Sequence, residues 1–185
     1  MSDMTGEEVE ASIIAYLRDQ YPEGPRWQDP QFHCLEGEPL ILKMIPAFER
    51  IEYNLDNGGW AQLLWNCFGT WRRLLEIAAE GYELIGAKAQ RDALKPLYKV
   101  LSKDEAECAR FLQLAADEER AETFAEYTRR SYAVPGYEWE NVFYYDSGIN
   151  ELRLAWLEEH AAEIQTLVCP DRSFWSRWKH FRRRR

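Results

Sequence analysis

A short run of polar and glycine residues near the middle of the chain has the residue types and spacing of a binding or clamping site. The run reads Glu52-x4-Asn57-Gly58-Gly59-Trp60-x-Gln62-x3-Asn66. Gln62 and Asn66 are four residues apart, so they share one face of a helix. Amides beside an apolar core need hydrogen-bond partners. Asn57, the backbone amides of the glycine turn, or Glu52 from the preceding helix are the partners that we predict.

Two interpretations of this run remain open. In the first, the polar side chains form a network that clamps two helices together at the turn. In the second, the same groups line a small-ligand or peptide pocket, in which Trp60 is a wall and Gln62 and Asn66 are the polar contacts. An enzyme using Glu52 would be a variant of the second interpretation.

Familiar catalytic and metal-binding patterns do not occur in the sequence. The histidines His33, His160 and His180 form no H-E-x-x-H motif, and no C-x-x-C pair is present. The cysteines Cys34, Cys67, Cys108 and Cys169 are scattered, which favours free thiols in a reducing compartment. We therefore predict a protein that is not an enzyme and has no cofactor and no metal.

The charge along the chain is strongly asymmetric. The 185 residues carry a formal net charge of -9, yet residues 171–185 hold seven basic side chains against Asp171. The body is therefore even more acidic than the total suggests. An acidic body repels nucleic acid and membrane surfaces and attracts basic proteins. The basic, aromatic end has the opposite preference, and we expect it to dock on the body or to contact a neighbouring subunit.

The densest acidic stretch in the body lies in a predicted long helix. Residues 104–126 carry eight acidic and two basic side chains. Glu118, Glu122 and Glu126 recur every four residues, which places carboxylates about 6 Å apart along a helix axis. We predict a binding surface here made of Asp117, Glu118, Glu119, Glu122 and Glu126. The alternative is an ordinary solvated helix face.

The hydrophobic pattern predicts an all-α protein, an irregular multi-helix bundle with a single domain. Thr5-x-x-Glu8 and Ser102-x-x-Glu105 are capping boxes that predict helix starts. Val9, Ile13, Ile14 and Leu17 fall on one helical face. We expect Pro46 and Pro96 to kink or break their helices, Gly69-Thr70 to interrupt another, and Asn150 to cap one long last helix ending at Pro170. The segment 137–148 is predicted to be a packed loop.

Three segments follow from this organisation. Residues 1–38 form an N-terminal helix and a proline- and glycine-rich connection, residues 39–169 form the helical core, and residues 170–185 form the basic aromatic tail. No stretch is long and apolar enough to span a membrane, and the N-terminus lacks the pattern of a secretory signal. We expect a cytoplasmic protein.

The glycine-turn motif resembles that of the DMP19-like family. The resemblance rests on the run described above together with Ile85-Gly86-Ala87 after the following helix, and it covers about residues 45–90. It implies an all-helical, acidic fold without known catalysis. The family takes its name from a dimeric bacterial protein that displays carboxylates in the manner of DNA phosphates and so occupies a DNA-binding regulator.

The function implied by this resemblance is binding of a basic protein, with a DNA-binding regulator as the candidate partner and a homodimer as a candidate assembly. The motif marks the fold and does not by itself assign acidic contact residues. Two alternatives stay open at this point: an immunity or antitoxin protein that neutralises a toxin, and a small-ligand binder or enzyme using Glu52, Gln62 and Asn66.

Overall fold

The fold is built from α-helices that pack around one apolar core. A computed structural model describes residues 4–22, 35–118, 121–133, 138–144 and 147–169. The elements in chain order are α1 (Gly6–Gln20), α2 (Leu40–Asn66), α3 (Trp71–Leu84), α4 (Lys88–Glu118), α5 (Ala121–Thr128), α6 (Arg130–Ala133), a 3-10 helix (Glu138–Phe143), α7 (Ile149–Glu159) and α8 (Ala161–Val168). The described residues contain no strand, so the prediction of an all-α fold is confirmed.

Helix α1 begins as predicted. The Thr5 side chain accepts a hydrogen bond from the Glu8 amide, and the Glu8 carboxylate accepts one from the Thr5 amide, which completes the capping box. Val9, Ile13 and Leu17 enter the core, whereas Ile14 remains 37% exposed. The expectation that Ile14 shares the buried face is therefore wrong, because α1 buries only a narrow stripe.

The glycine turn breaks α2 into two halves. Gly59 has φ 68° and ψ -168°, and the second half starts at Trp60. This confirms the turn between two helices that was predicted at Gly58-Gly59. The helix is not split at Pro46, which lies buried within its first half. The chain tolerates Pro46 there because most of the packing that holds the helix comes from its apolar face.

Gly59 should not accept a side chain. A Cβ atom at this position would lie 2.9 Å from the Ser131 Cβ, and the positive φ adds backbone strain. We expect Gly59→Ala to lower the free energy of unfolding by about 2–3 kcal/mol. Gly86→Ala is the matched control, since Gly86 also has a positive φ but faces open space; it should cost about 1 kcal/mol. Urea unfolding of both variants measures the difference, and equal losses would contradict the steric argument.

Helices α3 and α4 confirm one boundary and correct another. The interruption at Gly69-Thr70 is present, and α3 starts at Trp71. Helix α4, however, continues through both Pro96 and Ser102. The second capping box is therefore wrong. Its glutamate, Glu105, accepts hydrogen bonds from the Trp71 indole and the Arg72 guanidinium of α3 instead.

The predicted long helix that carries the acidic stretch is also interrupted. Helix α4 ends at Glu118 and α5 starts at Ala121, with the separate short helix α6 beginning at Arg130. Helices α5 and α6 pack back on α2, and α5 also packs on α4. Tyr127 is completely buried as a result. A straight helix would have carried this ring away from the core.

The last helical region is two helices. Helix α7 starts at Ile149 after Gly148, which has φ 79°, so Asn150 is not the cap. The Asn150 side chain instead accepts a hydrogen bond from Arg153 Nη2. The chain turns at His160, and α8 follows. The predicted packed loop contains the 3-10 helix, whose Phe143 is fully buried.

The core is centred on the contact between α2 and α3. Phe48 and Tyr82 stack with ring centroids 4.2 Å apart, and Gly81 allows this close approach because a Cβ atom there would clash with Phe48. Helix α1 lies against α7 and α8 as well as α2. Of the predicted free thiols, Cys67 and Cys108 are buried and Cys169 is partly buried, whereas Cys34 lies outside the described residues. In the part of the chain that the structure describes, no helix is of a length and apolarity that could cross a membrane.

Candidate functional site

Glu52, the first residue of the glycine-turn motif, belongs to a buried ionic network. Its carboxylate accepts a hydrogen bond from the Tyr82 hydroxyl at 3.0 Å and one from Arg153 Nη1 at 2.8 Å. Arg153 Nε donates to Glu10 at 2.8 Å. The network therefore ties together α1, α2, α3 and α7. It is a clamp between helices, and it is larger than the one predicted from sequence.

The electrostatics of this network follow from its burial. Burial raises the pKa of the Tyr82 hydroxyl well above its ordinary value, and the negative charge of Glu52 raises it further. For Arg153, burial lowers the pKa, but attraction to Glu52 and Glu10 outweighs this and leaves the pKa raised. Tyr82 therefore remains a neutral donor and Arg153 remains a cation at neutral pH. Neither group is poised to exchange a proton.

The backbone amides of the turn have partners that the sequence did not indicate. Trp60 N donates to Glu140 Oε1 at 3.1 Å, and Ala61 N donates to Ser131 Oγ at 2.8 Å. These two amides open the second half of α2, where no carbonyl of the preceding turn is available to them. The side chains from α6 and the 3-10 helix thus act as caps supplied from about 70 to 80 residues further along the chain.

Glu140 is the most strongly perturbed carboxyl group at the turn. It is 5% exposed, and burial raises its pKa to about 7, although the hydrogen bond from the Trp60 amide acts in the opposite direction. A carboxyl group of this kind titrates near neutral pH.

The amide side chains of the motif point to separate places. Asn66 Nδ2 donates to Asn54 Oδ1 at 2.7 Å, which joins the two halves of α2. Asn57 is exposed and donates to the Tyr53 carbonyl one turn earlier. The Gln62 side chain folds back over Gly58, where a Cβ atom would have no room. The hydrogen bonds of Glu52 and Asn66 thus run to different partners, and the ligand-binding role of Glu52, Gln62 and Asn66 stays a prediction.

The predicted acidic surface is only partly visible. Asp117 and Glu118 end α4 and Glu122 lies in α5, but their side chains are outside what the structure describes, as is the whole of Glu119. Glu126 is exposed. The role of these five residues in binding stays a prediction.

The acidic residues that precede this surface are neutralised. Asp104 pairs with Arg130, Glu105 with Arg72, and Glu107 with Arg110. Hydrogen bonds from Arg72 lower the pKa of Glu105, so this carboxylate stays ionised and paired. The acidic stretch of residues 104–126 is therefore less negative, over its first turns, than its composition indicates.

A second group of carboxylates lies on α1, α7 and α8, and we call it the acidic face. It consists of the exposed side chains of Glu7, Glu151, Glu158, Glu159 and Glu163. None of the five forms an ion pair with another described residue. Over the ranges of α1, α7 and α8 the chain has eight acidic and two basic side chains, and one of the two is Arg153, which is paired with Glu10 and Glu52.

Tertiary packing brings the acidic face together from the two ends of the chain. Gly6 lies against the backbone of Leu154, and Met4 contacts the Gln165 side chain. Glu7 therefore lies close to the middle of α7 and to α8. The sequence analysis assigned no role to Glu158 and Glu159. The excess of acids over bases between residues 149 and 169 was the available signal.

Comparison with known proteins places most of the chain in one family. A family model described as DMP19-like protein matches residues 36–160, about two thirds of the chain. The match includes the glycine turn and the helices α2 to α7. Comparisons with curated proteins and with solved structures give no match.

Proposed function

The chain belongs to the DMP19-like family, and from this premise we propose that it acts without catalysis, as an acidic protein that binds a basic protein. The observation that carries the proposal is the acidic face, where exposed carboxylates have no ion-pair partner among the described residues. Unpaired surface carboxylates keep their full attraction for Lys and Arg side chains of a partner. The carboxylates of Asp104, Glu105 and Glu107 in α4 are already paired with arginines of the same chain, so their attraction for a partner is weaker.

A DNA-binding protein is the partner class that fits this chemistry best. Such proteins hold basic side chains spaced to contact successive phosphates, and they bind through charge more than through shape. Glu151 and Glu158 are seven residues apart on α7, so they lie on one side of the helix about 10 Å apart along its axis. Glu159 lies at the end of α7, and Glu163 extends the negative charge past the turn at His160. The face thus offers a row of anionic groups on rigid elements.

The family resemblance supports the same class of partner. The resemblance described above implies carboxylates that stand in for DNA phosphates, and the acidic face supplies carboxylates without local counterions. An immunity or antitoxin protein would use the same chemistry against a basic toxin. A rescue assay in cells that express the toxin separates that alternative from binding of a transcriptional regulator.

Affinity capture tests the proposal. The full-length chain is immobilised on a support and incubated with native lysate at low ionic strength. Bound proteins are then eluted with rising salt concentration. We expect basic proteins to elute at moderate salt because the contact is electrostatic and is screened. Glu158→Gln, Glu159→Gln and Glu163→Gln combined in one chain should weaken the contact about tenfold, at a few tenths of a kcal/mol or more for each charge.

Two further chains make the capture decisive. Glu49, Glu80 and Glu138 are exposed acids on other elements, and replacing all three with Gln is the matched control. A chain with the predicted surface neutralised, from Asp117 to Glu126, tests the other candidate location. Retention that is insensitive to salt, or lost equally in the control chain, would refute the proposal.

A further inference from the structure

The acidic face lies where the chain continues into its basic end. Helix α8 ends at Val168, and Cys169 is the last described residue. Glu163 is on α8 itself, and Glu158 and Glu159 immediately precede the turn into it. Residues 170–185 therefore start beside the acidic face, whatever course they take.

The composition of this end is complementary to the acidic face. Residues 171–185 contain seven basic side chains against one acid, interleaved with Phe174, Trp175, Trp178 and Phe181. Arginine forms strong, charge-assisted hydrogen bonds with carboxylates. The face also has apolar groups for the aromatic rings, because Leu152 on α7 is 40% exposed and Ile14 on α1 is 37% exposed.

Reach and concentration favour a contact within one molecule. Sixteen residues extend at most about 55 Å, whereas α7 is about 16 Å long, so the segment is long enough to cover the face. A tethered segment of this length has an effective concentration in the millimolar range. On other elements, acids such as Glu76, Glu83 and Glu105 are already paired with arginines. The acidic face, by contrast, has exposed carboxylates without ion pairs to described residues, and it lies next to the segment's origin.

We propose that residues 170–185 dock on the acidic face of the same chain and thereby compete with a basic protein partner. The docking stands on the charges and exposed apolar groups described above, and only the competition rests on the proposed function. Docking partly neutralises the face, so a partner must displace the segment before it binds. The segment is thus an autoinhibitory competitor whose hold weakens as salt rises.

A peptide titration tests the docking directly. The probe is a fluorescein-labelled peptide of residues 170–185, titrated at low ionic strength with full-length chains. In one chain Arg182, Arg183, Arg184 and Arg185 are replaced by Gln. We expect this chain to bind the peptide about tenfold more tightly than the wild type, because its own segment keeps only three of its seven basic side chains and competes more weakly. Equal affinities would overturn the proposal.

Two controls locate the contact. These controls start from the chain in which Arg182 to Arg185 are replaced by Gln. Adding Glu158→Gln, Glu159→Gln and Glu163→Gln to it should reduce peptide binding about tenfold, whereas adding Glu49→Gln, Glu80→Gln and Glu138→Gln should not. An equal loss in both would refute docking on the acidic face. Sedimentation velocity over a range of concentrations should show one species for the wild type. A dimer that disappears when the four arginines are replaced would overturn docking within one chain in favour of docking between two.

The peptide titration is independent of the capture experiment. It contains no partner, so it can fail while basic proteins are still captured, which would leave the proposed function intact. Conversely, the peptide result can hold when no basic protein is captured. If the docking and the proposed function both hold, the chain with Arg182 to Arg185 replaced by Gln should capture more of the basic partner than the wild type does.

Discussion

Replacing Arg153 with methionine is expected to lower the free energy of unfolding by about 3–5 kcal/mol. Arg153 is the cation that balances Glu52 and Glu10, and the Glu52 side chain is only 8% exposed. Without Arg153, the buried Glu52 carboxylate keeps a single described partner, the Tyr82 hydroxyl. An uncompensated charge in the core is among the costliest defects that one substitution can create. Urea unfolding at neutral pH measures the loss.

Two companion variants distinguish a buried network from an ordinary ion pair. Arg91→Met removes an arginine that also contacts two carboxylates, Glu83 and Asp92, but on the surface, where solvent screens the charges, so it should cost far less stability than Arg153→Met. Glu52→Gln added to Arg153→Met removes the stranded charge, so the double variant should recover part of the stability. If the double variant is no more stable than Arg153→Met alone, the electrostatic explanation is wrong and lost packing explains the effect.

Glu140→Gln is expected to make the protein more stable at pH 8 and to leave it almost unchanged near pH 4.5. Burial raises the pKa of Glu140 from an ordinary 4.5 to about 7. Between these values the folded state binds a proton that the unfolded state has lost, so the free energy of unfolding falls as pH rises. The fall amounts to about 3 kcal/mol at most and is complete above the folded pKa. Glutamine carries no charge at any pH, so the variant lacks this loss.

The geometry of the turn makes glutamine the appropriate replacement. Its side-chain carbonyl can still accept the hydrogen bond from the Trp60 amide, so the cap of the second half of α2 is kept. Glu138→Gln is the matched control, since Glu138 is exposed on the same 3-10 helix and should leave the pH dependence as it is. Urea unfolding at several pH values, compared as differences from the wild type, isolates the contribution of Glu140. Parallel pH profiles for wild type and Glu140→Gln would contradict the prediction.

The chemistry of the glycine turn was only half predictable. A turn was predicted at Asn57-Gly58-Gly59, because glycine adopts a positive φ at no steric cost. Gly59 does have a positive φ. The partners of the freed amides could not be predicted, since Ser131 and Glu140 are about 70 to 80 residues away and no local spacing links them to the turn. Glu140 was also unremarkable in sequence. Its raised pKa arises from burial, which belongs to the folded state alone.

The predicted helix boundaries were wrong where tertiary packing outweighed local sequence signals. Ser102-x-x-Glu105 has the spacing of a capping box, yet α4 continues through it because the apolar stripe of Leu97, Leu101 and Cys108 packs without interruption. The Glu105 carboxylate forms an ion pair with Arg72 of the neighbouring helix α3 and is therefore not used as a helix cap. Similarly, Asn150 serves Arg153 and not the start of α7. Local capping motifs compete with contacts between helices, and in these two places the contacts between helices determine where the helix starts.

The sequence by itself determined the helical class, the capping of α1, the break at Gly59 and the family of the chain, because each of these depends on residues that are close in sequence. Only the tertiary structure decided which charges remain available. It paired Asp104, Glu105 and Glu107 with arginines, buried Glu52 beside Arg153, and brought Glu7 to the side of α7. Whether a carboxylate is neutralised depends on neighbours within a few ångströms, and most of those neighbours are distant along the chain.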